Sequence, residues 1–184
     1  MSEHPDDLRS RLDALIGRPV GAPEPTPGPD PVNQPMIRHW AAAFEDPNPV
    51  YTDPEAAARS RFGQIVAPPV MLQTWTFPTP TITGMAERGG SPVEGAGANP
   101  LDVLDEAGFV ATLATNSEFE IERYVHLEET VSAHTVMESI SEEKQTGVGR
   151  GHFVTWITTY TVGDGEVVGR QTFRMLKFAP GAGL

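Results

Sequence analysis

The sequence predicts an α+β domain in which an antiparallel sheet wraps one shortened central helix. Helical periodicities are confined to the first half of the chain, the second half alternates as strands, and an apolar run stopped by prolines lies between them. With 184 residues, 39% of them hydrophobic, the chain can build one sizeable core and has too little for two.

Taken in order, Pro5 followed by Leu8, Leu12, Leu15 and Ile16 has helical spacing with proline in the first turn, which predicts a short amphipathic helix that packs on something else. GRPVGAPEPTPGPDP, from Gly17 to Pro31, can hold neither a helix nor a central strand and reads as an extended tether. Residues 1–32 are thus a helix plus tether, 33–178 the globular domain, and 179–184 a tail or linker. Pro35 starts a helix with Met36, Ile37, Trp40, Ala41 and Phe44 on one face, and the turn-rich EDPNP ends it. Asp53 and Pro54 make an N-cap and first turn for EAAARSR, which Gly63 closes.

In IVAPPVMLQTWTF the tandem prolines Pro68 and Pro69 fit only at a helix start, while Pro78 and Pro80 stop it, so this helix is about two turns long. Residues 79–108 are rich in Gly, Pro and small polar types, an excursion of the length kept for binding loops. Strands follow. Phe119, Ile121 and Arg123 oppose Glu118, Glu120 and Glu122; Val131, Ala133 and Met137 share a face; Val154, Trp156, Tyr160 and Val162 share another; Val167, Phe173 and Met175 a third. The turn GDGE, Gly163 to Glu166, joins the last two as a hairpin.

Thirteen Lys and Arg against 25 Asp and Glu give a net charge of -12, which repels phosphate backbones and anionic headgroups and argues against nucleic acid or a membrane as partner. Cysteine is absent, so disulfides, thiolate nucleophiles and Cys-based metal sites are excluded. His126, His134 and His152 lack metal-ligand spacing and read as strand residues, with no metal expected. MSEHPDDLRS lacks the basic and apolar segments of a signal peptide, which predicts a soluble cytoplasmic protein. GVGRG precedes the β-branched FVTWITTYT rather than a helix, so dinucleotide binding is not expected.

The segment FEDPNPVYTDPEAAARSRFGQIVAPPVM carries an Asp-x-Asn-Pro motif and resembles the signature of the MaoC-like enoyl-CoA hydratase family, which has the hot-dog fold. Asp46, Asn48, Pro49 and Val50 match, but Tyr51 stands where the family has its catalytic His. In the family that His and the Asp are thought to activate the water that adds across an enoyl thioester, and a Gly at the start of the central helix donates its N–H to the thioester oxygen. Here Pro69 holds the Gly position, and proline has no N–H. The resemblance covers roughly residues 33–178.

Asp46, Tyr51 and Pro69 are therefore degenerate catalytic positions, and the chain looks like the non-catalytic larger subunit of the heteromeric hydratases that act on steroid side-chain enoyl-CoA esters. That resemblance implies a small catalytic hot-dog subunit as partner, substrate carried as a coenzyme A thioester with no other cofactor, and a C-terminal extension that docks a downstream aldolase. The tail FAPGAGL suits such a continuation. Val66, Pro68, Met71, Trp75 and Phe77 are candidate pocket walls, and Arg150 a candidate for a CoA phosphate; each is also a plain core or surface residue by type. Asp46 equally serves as a turn cap. An acyl-binding subunit of a fatty-acyl or mycolic-acid dehydratase, a stand-alone hydratase and a pure acyl-thioester binder are the alternatives.

Overall fold

The structure, a computed structural model, describes residues 5–84 and 100–181. Helix α1 (Pro5–Asp13) is followed by a two-residue strand, β1 (Thr26–Pro27). Helix α2 (Gln34–Ala43) starts where the Asn33 side chain accepts the Met36 N–H at 3.1 Å, and α3 (Pro54–Arg59) where the Asp53 carboxylate accepts those of Glu55 and Ala56. A 3-10 turn at Pro69–Met71 runs into α4 (Leu72–Trp75), and the pair is only about 10 Å long. Helix α5 (Asp102–Glu106) lies within the stretch expected to be an excursion, of which 85–99 fall outside the described residues.

Five strands, β2 (Ala111–Ile121), β3 (Ser132–Ile140), β4 (Lys144–Thr146), β5 (Gly149–Val162) and β6 (Glu166–Pro180), join β1 in one antiparallel sheet. The order is β1-β3-β5-β6-β2, with β4 on the far end of β5. Two covers share the inner face. Met71, Leu72 and Trp75 of the central helix pack on Val131, Tyr160, Val162 and Val168 at one end. Leu12, Leu104 and Phe109, from α1 and the α5 region, pack on Met137, Ile140 and Val154 at the other. Gly169 allows the first of these: a Cβ there would meet Leu72 Cδ1 at 2.7 Å and the Glu120 carbonyl at 2.8 Å. Fourteen-residue β5 is about 45 Å long, so a 10 Å helix leaves most of the face to other cover.

The structure departs from the sequence reading in three places. The Gly17–Pro31 segment is extended but does not hang free of the domain: Gly17, Val20 and Gly28 donate their N–H groups to Met137, Thr135 and Val131, so it runs as a broken edge strand along β3. Only Gly28 of the three lies between two prolines, Pro27 and Pro29, which have no N–H to offer. Helix α1, read as lying outside the globular domain, buries Leu12 in the cluster of Leu104, Phe109 and Met137. On β6, a bulge opposite Tyr160 and Thr161 puts Val168, not Val167, into the core, because one extra residue flips the side-chain parity beyond it.

The edge strand fixes a test. A Cβ on Gly28 would fall on the Trp75 carbonyl oxygen. Gly28→Ala should therefore cost about 2 kcal/mol by overpacking, read as a lower thermal midpoint; an unchanged midpoint would show that this segment does not bear on the central helix.

Candidate functional site

The signature loop is built by its own caps. Asp46 Oδ1 accepts the Asn48 N–H at 3.0 Å, and Asn48 Oδ1 accepts that of Val50 at 3.3 Å, which winds Pro49–Tyr51 into a single 3-10 turn. That turn drives the Tyr51 ring into the core, where it is 5% exposed. Burial, followed by the neighbouring Tyr124 and Asp46, raises the Tyr51 phenol above its ordinary pKa, against a weaker opposing hydrogen bond from Asn48. The ring is thus protonated at neutral pH and a poor base. Val66 pairs with His126 and donates to the Val50 carbonyl at 3.4 Å, which holds the start of the central helix beside this loop. Pro68 and Pro69 offer no N–H there.

Where α4 stops at Trp75, the sheet is left with a cleft of about 400 Å³ between the two covers. Its floor is Thr135 of β3, Trp156, Thr158 and Tyr160 of β5, and Gln171 and Phe173 of β6. Gln73, Thr76 and Phe77 form the helix-side rim, and Val20 of the edge segment the opposite one. Trp156 and Phe173 stack with centroids 5.4 Å apart, a flat aromatic wall. The floor is also polar: Tyr160 donates to Gln171 Oε1 at 2.7 Å, and Gln171 Nε2 donates to Ser117 Oγ at 2.9 Å and Gln73 Oε1 at 3.4 Å. Burial pushes the Tyr160 phenol up, so it stays a donor. The volume lies in the range of small-molecule sites.

Of the sequence-predicted walls, only Phe77 lines this cleft; it is 54% exposed. Val66, Met71 and Trp75 are core residues under the helix, and Pro68 is buried at its start. Arg150 sits at the opposite end of β5 from Tyr160, paired with Glu143 at 3.1 Å and lying 5.1 Å over the Phe109 ring. The structure does not bring it to the cleft. The cleft residues that the sequence reading missed carried a signal: Thr158 and Gln171 are polar at strand positions whose parity points inward. A larger hollow of about 620 Å³ lies at the end of β2, lined by Arg61, Phe62, Tyr124 and Arg123. Arg123 is neutralised there by Glu129 and Glu166, each at 2.7 Å.

Comparison with known proteins agrees with this geometry. A family model described as FAS1-like, dehydratase domain region, matches residues 17–171. A probable enoyl-CoA hydratase alpha subunit of Thermomonospora curvata is 43% identical over 176 residues, 95% of this chain and 53% of that protein. The 3-oxo-4,17-pregnadiene-20-carboxyl-CoA hydratase alpha subunit of Mycobacterium tuberculosis is 37% identical over 161 residues, 88% of this chain and 49% of that one. The chain thus spans about half the length of these curated relatives. Among solved structures, a chain of the ChsH1-ChsH2 complex from M. tuberculosis superposes with a TM-score of 0.81 at 33% identity, covering 97% of this chain and 95% of that chain. An (R)-hydratase from A. caviae, at 16% identity and a TM-score of 0.55, shares the hot-dog fold; it covers 87% of this chain and 94% of that one.

Proposed function

The chain belongs to the FAS1-like dehydratase-region family, and from that premise we propose that it is the non-catalytic, pocket-forming subunit of a heteromeric enoyl-CoA hydratase for bulky, polycyclic acyl groups. The observation that carries this reading is the cleft: the helix that fills the concave face in a full hot-dog domain ends at Trp75, and an aromatic wall with a polar floor occupies the vacated length. The acyl group enters this cleft. The chemistry comes from a small hot-dog partner, since Tyr51, Pro68 and Pro69 supply neither a base nor an oxyanion donor.

The partner supplies most of the cations for the CoA phosphates, which reconciles an anionic ligand with a net charge of -12. Strand β2 is the edge on which it docks. Among the described residues nothing pairs with its outer side, and Leu113 and the preceding Val110 are 48% and 63% exposed. Steroid side-chain CoA esters are the substrate class that this reading favours, in line with the printed name of the M. tuberculosis relative.

The test is co-purification from the native host, followed by kinetics on the recovered complex. A small hot-dog companion should appear, and a steroid enoyl-CoA should be turned over with a higher kcat/KM than decenoyl-CoA. Equal or reversed preference would favour the fatty-acyl dehydratase alternative, and a lone monomer in the presence of the companion would remove the partner.

A further inference from the structure

The cleft holds one hydrogen-bonding group that nothing among the described residues satisfies. Thr135 and Thr158 face each other as a cross-strand pair of β3 and β5, on the side of the sheet that lines the cleft. Their hydroxyl oxygens are 2.8 Å apart, and either can be the donor. Two hydroxyls carry two O–H protons between them, and one bond uses one. The remaining O–H has no acceptor among the described residues. Thr158 is 8% exposed and Thr135 half-buried, with the cleft open above them. The neighbouring polar groups do not compete for that O–H, because Tyr160, Gln171 and Gln73 are engaged with one another. Once a ligand displaces water from the cleft, a donor left over there costs free energy unless the ligand takes it.

We infer that the Thr135 and Thr158 pair is a specificity element that donates a hydrogen bond to a ketone or hydroxyl oxygen carried on the ring system of the bound acyl group. The inference rests on the reading of the cleft as the acyl site and adds a ligand feature to it. The pair lies in the cleft floor between stacked Trp156 and Phe173 on one side and Tyr160 on the other, so rings lying on the aromatic wall present an edge oxygen to it. A straight saturated chain has no oxygen to offer and leaves the donor unsatisfied, which is discrimination by a missing hydrogen bond. The printed name of the M. tuberculosis relative includes a 3-oxo group, the chemistry that this donor would recognise.

The test uses the chain with whatever subunit accompanies it on purification, and two probes: a 3-oxo-4-ene steroid and the analogue with only hydrogens at C3. Binding is read by quenching of tryptophan fluorescence and by calorimetry. The unaltered protein should prefer the ketone. Thr135→Val with Thr158→Val, which removes both partners of one hydrogen bond and so should leave the thermal midpoint nearly unchanged, should weaken the ketone about fivefold and the deoxy analogue less than twofold. Thr158→Ser, which keeps the hydroxyl, should retain the preference and guards against a folding defect in the double variant. Equal weakening of both probes, or none, would overturn the inference and leave the cleft as the acyl site. Failure of both steroids to bind the unaltered protein would overturn the acyl-site reading itself.

Discussion

Purified by itself, the chain should hydrate crotonyl-CoA no faster than buffer does. On the proposed reading two groups, the base and the oxyanion donor, are missing at once. A positioned general base contributes about 10²- to 10⁴-fold and one oxyanion donor about 2.7 to 4 kcal/mol, so losing both removes about four orders of magnitude at the least. Asp46 alone does not replace the His–Asp pair: its Oδ1 caps the loop by accepting the Asn48 N–H at 3.0 Å, and no histidine stands at position 51. Tyr51 does not either, since burial holds its phenol protonated. Tyr51→His alone should stay inactive, as Pro68 and Pro69 still offer no N–H to the thioester oxygen. Loss of the conjugated-thioester absorbance measures the reaction. Turnover by the isolated chain that drops with Asp46→Asn would make it a hydratase in its own right.

Asp105→Ala should strongly destabilise the α5 side of the domain. Lys177 is 4% exposed on β6, and its ammonium pairs with the Asp105 carboxylate. Removing the acid leaves a buried cation without a partner, which elsewhere costs about 3 to 5 kcal/mol. The Asp105 side chain is 36% exposed, so water partly fills the gap and the lower figure applies. About 3 kcal/mol corresponds to a thermal midpoint lowered by about 6 to 12 °C in a chain of this size. Lys177→Met in the same background should recover most of that loss, because an apolar stem of similar length then fills the site. A shift below about 2 °C for Asp105→Ala would mean that the ammonium finds water and that the pair is a surface one in practice.

The two halves of the chain were unequally legible. The hairpin at Gly163–Glu166, the cap at Asp53 and the proline-stopped central helix follow from local chemistry, and the structure has each of them. The bulge that trades Val167 for Val168 has no local signal, because strand register is decided across the sheet. The Gly17–Pro31 segment misled for a related reason. Its composition fixes that it is extended but not what lies beside it, and the donors of Gly17, Val20 and Gly28 find acceptors only once β3 exists. At the site, the motif around Asp46 could be read directly, whereas the cleft could not. Trp75 looks like a pocket wall by type and position, yet the helix buries it and leaves the opening to Thr76 and Phe77, just past the stop.

The edge segment also sets how far sheets of this protein can add to one another. β3 would otherwise present its outer N–H and C=O groups from Val131 to Met137 to any passing strand. Pro19, Val20, Thr26, Pro27 and Gly28 lie against it instead, and prolines on the new outer side cannot donate onward. From Val131 to Met137 that margin is covered, while β2 on the other margin pairs with nothing on its outer side among the described residues. A sheet covered along one margin adds a neighbour most readily at the other, which favours closed pairs over fibres.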